Sequence, residues 1–193
     1  MIKTISDRKK QELRSKYLIA RTSMTVAARE KASAQICDVV IQAGFFRKSR
    51  IVGCYLPTDK EVDTWPIIER AFKMGKQIFA PVLGKNGTMR FHDLTTNSSL
   101  SINQFGLMEP QSSNYINPHH IDIVITPLVA FDSFGNRIGM GGGYYDRCFS
   151  FLNGRKTWLH PKLIGLAFDC QRINLISPNP WDIGLYRVIT ETT

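Results

Sequence analysis

The chain has 193 residues, 43% of them apolar and 21% charged, with a formal net charge of +9. These proportions exclude a disordered polyelectrolyte and describe an ordinary folded domain. A single domain over 1–193 is expected, burying roughly 70% of its unfolded surface, and its longest apolar stretch, IDIVITPLVAF at 121–131, is too short and interrupted to cross a bilayer.

Charge and cysteine narrow the class. Residues 1–50 hold 12 Lys/Arg against 4 Asp/Glu, whereas the remainder holds 13 against 12. A basic first section attracts polyanions, from nucleic acid to phosphorylated small molecules, or is simply a solvated helix surface. It lacks the interleaved aromatics of a stacking platform, so no nucleic-acid partner is expected. The start, MIKTISDRKKQELRSK, is polar from Ser6 on and has no apolar core for an export signal, so a cytoplasmic location without a membrane partner is expected. Cys37, Cys54, Cys148 and Cys170 are scattered, with neither CxxC nor zinc-type Cys/His spacing, and read as reduced core thiols.

Two helices are predicted in the first fifty residues. Ser6 or Asp7 caps the first, which carries Leu13, Tyr17 and Leu18 on one side; Ser23 or Thr25 caps the second, whose apolar stripe of Ile36, Val39, Val40 and Ala43 ends at Gly44. A strand at 50–56 (RIVGCYL), a helix around 66–74 and a strand at 76–82 (KQIFAPV) form a βαβ unit, which favours parallel pairing. Residues 88–93 alternate like a half-exposed strand, and 121–127 form an apolar run suited to a strand covered on both faces. A helix at 144–152 and strands at 162–168 and 187–190 complete the pattern. The expected fold is α/β: a three-layer sandwich with a mostly parallel sheet, the N-terminal helical pair packed on it, and ligands at the strand C-termini.

The stretch RIGMGGGYYDR at 137–147 concentrates the candidate chemistry. A dinucleotide fingerprint starting at Gly139 needs glycine where Tyr144 stands, and no GK[ST] follows to make a P-loop. What remains is a glycine-rich turn opening a helix, whose free N–H groups suit an anion, with Arg137 and Arg147 on either side; the alternative is a tight strand-to-helix turn without a ligand. Asp146 is either a helix-dipole partner or a magnesium ligand beside phosphates. Lys10 and Arg14, four residues apart, share a helix face and reach one anion or merely solvent. Glu61, in LPTDKEVDT, either holds a polar substrate or helps cap the next helix. No HExxH or Ser/His/Asp pattern accompanies His119 and His120, which argues against hydrolysis by a histidine base or zinc. A sugar-phosphate isomerase or transferase and a nucleic-acid binder are the competing readings.

These segments together resemble a known family. FDSFGNRIGMGGGYYDR (131–147) resembles the signature of 5-formyltetrahydrofolate cyclo-ligase, also called methenyltetrahydrofolate synthetase. KQELR, YLPTDKEVDT, KQIFAPV, FGLMEP and WDIGLYRVIT follow in that family's order and approximate spacing, so the likeness covers nearly the whole chain. It implies an ATP- and Mg²⁺-dependent ligase that cyclises 5-formyltetrahydrofolate to 5,10-methenyltetrahydrofolate, releasing ADP and phosphate, with a monomer expected. By this likeness Lys10 and Arg14 contact ATP. Arg137, Ile138, Gly139, Met140, Gly141, Gly142, Gly143, Tyr144 and Tyr145 form the phosphate loop. Asp146 and Asp182 are metal ligands. Leu56, Glu61, Phe105, Tyr144 and Tyr145 border the folate, and Glu61, Arg137 and Tyr144 serve catalysis. Some members carry a basic residue inside the loop where this chain has Met140 and Gly142, which shifts the expected phosphate grip to backbone N–H groups, Arg137 and the first helix.

Overall fold

The structure, a computed structural model, describes residues 5–153 and 160–193. It opens with α1 (Ile5–Thr22), α2 (Val26–Gln42) and the short α3 (Gly44–Lys48). Because α1 already begins at Ile5, Ser6 and Asp7 lie within it and do not precede it as caps. Thr25 caps α2, its side chain accepting from the Ala28 amide at 3.2 Å. β1 (Ile51–Cys54), α4 (Trp65–Lys73) and β2 (Gln77–Leu83) follow as the expected βαβ unit, then β3 (Met89–Leu94), the hairpin β4 (Leu100–Ile102) and β5 (Met108–Pro110), and β6 (Tyr115–Ile116). The second half holds β7 (Ile123–Pro127), the hairpin β8 (Ala130–Phe131) and β9 (Arg137–Ile138), α5 (Tyr144–Cys148), β10 (Lys162–Leu166) and β11 (Arg187–Ile189).

Seven strands form one sheet in the order β11-β10-β7-β1-β2-β3-β6. From β11 to β2 all neighbours are parallel, with Val52 opposite both Ile78 and Ile123; β3 and β6 continue antiparallel. One face is covered by α2, α3 and α4 through Ile36, Val40, Phe46, Ile67 and Ile68, all fully buried. The other is covered by Phe149, Ile183 and Leu185, which pack with Phe91, Val124 and Leu163 of the strands. Apolar area withdrawn from water on both faces is the main source of stability for such a sheet.

The N-terminal helices divide. α2 joins the sheet-covering layer, whereas Tyr17 of α1 packs with Val129, Ala130, Ile138 and Ile176 around the β8–β9 hairpin. The predicted helix at 144–152 is a five-residue α5 followed by a 3-10 turn at Ser150–Leu152. Among the thiols, Cys37 and Cys54 are buried as expected, but Cys148 is half-buried and Cys170 exposed. Among the described residues no helix is long and apolar enough to cross a membrane.

Candidate active site

The chain passes from β1 to β2 on one side and later returns as β7 on the other, so the strand order reverses at β1, and such a switch point is where open parallel sheets take ligands. A cleft of about 1110 Å³ lies there. Tyr55, Leu56 and Glu61 line it from beyond β1, Pro127, Leu128 and Val129 from the end of β7, and α1 and the glycine loop from above.

The glycine loop connects β9 to α5. Gly141 (φ 98°) and Gly143 (φ 63°) occupy the left-handed region that side chains disfavour. The loop's carbonyls are held from outside: Arg14 Nε donates to Gly139 O at 2.7 Å, and Arg147 donates to Gly142 O and, at 2.9 Å, to Gly87 O. The amides of Met140, Gly141, Gly142 and Gly143 donate to no acceptor among the described residues. Glycine backbone fixed by its carbonyls with its amides unspent is suited to bind phosphate oxygens.

Two carboxylates stand beside the loop, each held by a cation. Asp146 Oδ1 accepts from Arg137 Nη2 at 2.8 Å and from the Ile183 amide at 3.1 Å. Asp182 Oδ2 accepts from Lys10 Nζ at 2.6 Å and from the Asn179 amide at 2.8 Å. Arg137 also donates to Ile183 O, so its guanidinium, only 6% exposed, fixes Asp146 instead of standing free in the cleft. Burial lowers the pKa of Arg14. Among the described residues no cluster of three or more His, Cys, Asp or Glu forms a ready metal cage. Among the described residues no hydrogen bond reaches the second oxygen of Asp146 or of Asp182, and both side chains line the cleft. That donor set fits Mg²⁺ carried on phosphates, since this ion takes one or two carboxylates and fills its shell with phosphate oxygens and water.

At the other end, Glu61 Oε2 accepts from the amide and hydroxyl of Thr58, both at 3.1 Å. It does not cap α4: the N-cap is Thr64, without a side-chain cap bond, and Asp63 Oδ1 accepts from the Trp65 amide at 3.0 Å. Burial pushes the Tyr55 and Tyr145 hydroxyls well above the ordinary tyrosine range, and the Glu61 charge adds to both shifts, so both phenols stay protonated. Leu56, Leu107 and Met108 supply an apolar wall. Phe105 does not contribute to it: at the β4–β5 turn it is 57% exposed and outside the cleft lining, and its hairpin neighbours Leu107 and Met108 take that place. Every other residue expected at the site, from Lys10 and Arg14 through Leu56, Glu61 and the loop to Asp146 and Asp182, lines this cleft.

Residues 6–191 match the family model described as the 5-formyltetrahydrofolate cyclo-ligase family. The chain belongs to this family. It is similar to the 5-formyltetrahydrofolate cyclo-ligase of Escherichia coli (strain K12), 37% identical over 145 residues that cover 72% of this chain and 76% of the relative. The Haemophilus influenzae cyclo-ligase is 28% identical over 191 residues, covering 96% of this chain and 99% of that protein. Among solved structures, Aquifex aeolicus 5,10-methenyltetrahydrofolate synthetase superposes with a TM-score of 0.81 at 29% identity, covering 95% of this chain and 90% of that one.

For a cyclo-ligase of this family, sequence spacing left a charged cleft residue unnoticed besides the apolar lining. Arg21, 7% exposed, lines the cleft from the last turn of α1 and approaches Glu61. Its signal was periodic: Lys10, Arg14 and Arg21 fall four and then seven residues apart, on one helix face.

Proposed function

We propose that this chain closes 5-formyltetrahydrofolate to 5,10-methenyltetrahydrofolate at the expense of ATP, with Mg²⁺ required. The observation that carries this reading is one cleft with two ends: four unspent loop amides, a basic helix face and two carboxylates at one, Glu61 and an apolar wall at the other. A phosphate donor and a flat, partly polar substrate would meet at Tyr144 and Tyr145 between them.

In the reaction the formyl oxygen attacks the γ-phosphorus and the bond to the ADP oxygen breaks. The anilino nitrogen then bonds to the formyl carbon and loses its proton, and the carbon–oxygen bond breaks with phosphate leaving. An amide oxygen is a poor leaving group, so its conversion to phosphate is what makes ring closure feasible. The protein's part is positioning and charge stabilisation. The amides of 140–143, Lys10 and Arg14 bind the phosphates, and Arg137 orients Asp146. Asp146 and Asp182 would hold Mg²⁺, which would neutralise part of the phosphate charge. Glu61 stands at the formyl end, with Leu56 and the two tyrosines bounding the ring.

A monomer in the cytoplasm belongs to the same proposal; the four unpaired cysteines suit a reducing compartment. The test follows the absorbance of the methenyl product with and without ATP while ADP is measured. Product equal to ADP is expected; product without ATP, or no ADP in the presence of 5-formyltetrahydrofolate, overturns the reading.

A further inference from the structure

α1 reaches beyond the phosphate loop. Lys10, Arg14, Leu18 and Arg21 line the cleft along one side of the helix, and the step from Lys10 to Arg21 carries that side roughly 16 Å along its axis. At the far end Arg21 Nη1 stands 3.7 Å from Glu61 Oε1, longer than a hydrogen bond. The Arg21 Nε–H is shut from solvent and has no acceptor among the described residues. The Tyr145 hydroxyl is buried and unpaired in the same way, and it senses the Glu61 charge. Among the described residues these are the two buried side-chain polar atoms without a partner, and both belong to residues lining this one cleft. A buried donor left unpaired loses its water without a replacement, so such groups are rare, and two of them on one cleft make it a candidate place for a bound oxygen.

The cleft residues thus offer two donors without a partner and one carboxylate oxygen, a set that suits an oxygen beside an N–H. Adenine has no ring carbonyl and does not fit it. The pterin of a folate does, because its 4-oxo oxygen adjoins a ring N–H on one side and lies beside the N5 substituent on the other. We infer that Arg21 and Tyr145 donate to this 4-oxo oxygen while Glu61 accepts from the adjacent ring N–H, which makes Arg21 a specificity-determining residue for the folate. Fixing that oxygen also sets the direction of the neighbouring formyl group. The assignment rests on the cyclo-ligase reaction proposed above.

The experiment compares 5-formyltetrahydrofolate with its 4-amino-4-deoxy counterpart, which replaces the oxygen by an amino group and the N–H by an acceptor nitrogen. Wild type, Arg21→Met and Tyr145→Phe are assayed with both. Wild type is expected to favour the 4-oxo substrate by about 100-fold or more, since mismatched donors stay unpaired. Arg21→Met is expected to raise KM for 5-formyltetrahydrofolate about tenfold or more, leave KM for ATP within about twofold, and reduce the discrimination about tenfold. Equal loss on both substrates, or a folate KM and discrimination like those of wild type, overturns the assignment. Tyr145→Phe removes a single oxygen and no packing, so it decides the matter by the same criterion if Arg21→Met does not fold. A wild-type protein that makes no methenyl product from either substrate instead overturns the proposed reaction.

Discussion

Lys10 Nζ lies 2.6 Å from Asp182 Oδ2, latching the first helix to the segment after β10 across the phosphate end of the cleft. The ammonium has three donors and spends one on this contact, so an arriving phosphate can share it. A partly exposed pair of this kind contributes only about 0–1 kcal/mol to stability. Lys10→Met is therefore expected to leave the thermal midpoint nearly unchanged while raising KM for ATP about tenfold. Steady-state kinetics beside a thermal melt check both halves; an unchanged KM returns Lys10 to a surface role.

Asp146 has two duties that two substitutions separate. Arg137, 6% exposed, depends on it for charge compensation, so Asp146→Ala strands a buried cation and is expected to cost about 3 kcal/mol of stability. Asp146→Asn keeps an acceptor for Arg137 and the Ile183 amide but weakens metal binding. It is expected to fold, and to need at least about tenfold more Mg²⁺ for half-maximal rate. A metal titration of the Asn variant at saturating ATP gives the answer, and an unshifted curve removes Asp146 from the metal site.

That the glycine loop, Asp146, Lys10 and Arg14 would share one cleft was legible in part from local pattern, a glycine-rich turn opening a helix and cations four residues apart on another, and in part only from the family likeness. The βαβ unit was legible from local pattern, its strands being apolar runs bounded by turn residues. What escaped was set by tertiary contact. Nothing near Arg137 in sequence shows that Ile183 O would absorb part of its guanidinium. Nothing near Phe105 shows that Leu107 and Met108 would turn inward while it turned out. The β8–β9 hairpin has two residues in each strand, too few for an alternating pattern. Yet it is what separates α1 from α2 and places α1 over the cleft. Arg21 lay on the same helical stripe as Lys10 and Arg14, but its partner Glu61 comes from beyond β1.

Within the loop, the glycines are unequal. A Cβ at Gly139 meets nothing within 4 Å, whereas one at Gly143 falls 2.8 Å from Arg147 Nη1 at a φ of 63°. Gly143→Ala is expected to cost about 1–2 kcal/mol of backbone strain and to loosen the Arg147 contact, raising KM for ATP. Gly139→Ala is expected to fold like wild type. Denaturant midpoints measured side by side test the contrast; equal midpoints would mean that the left-handed turn at Gly143 is not what the loop requires.

Asp132 ties the hairpin that leads into the loop. It is 2% exposed, and its carboxylate accepts from the amides of Phe134, Asn136 and Ile176 and from Asn136 Nδ2, at 2.9 to 3.0 Å. Burial acts to raise its pKa, but the hydrogen bonds outweigh burial and hold it below the ordinary carboxylate value. In the unfolded chain the same group takes its proton at a higher pH, about 3.9. Its stabilisation is therefore complete above that value and is lost as pH falls through the lower folded one. Asp132→Asn replaces an acceptor with an amide that faces donors. It is expected to lose about 1–3 kcal/mol at pH 7 and to show a flatter loss of stability on acidification. Urea midpoints for both proteins from neutral pH to about pH 3 measure this; parallel acid limbs would assign the pH dependence to other carboxylates. Because the hairpin continues directly into Gly139, the same substitution is expected to raise KM for ATP without altering KM for the folate.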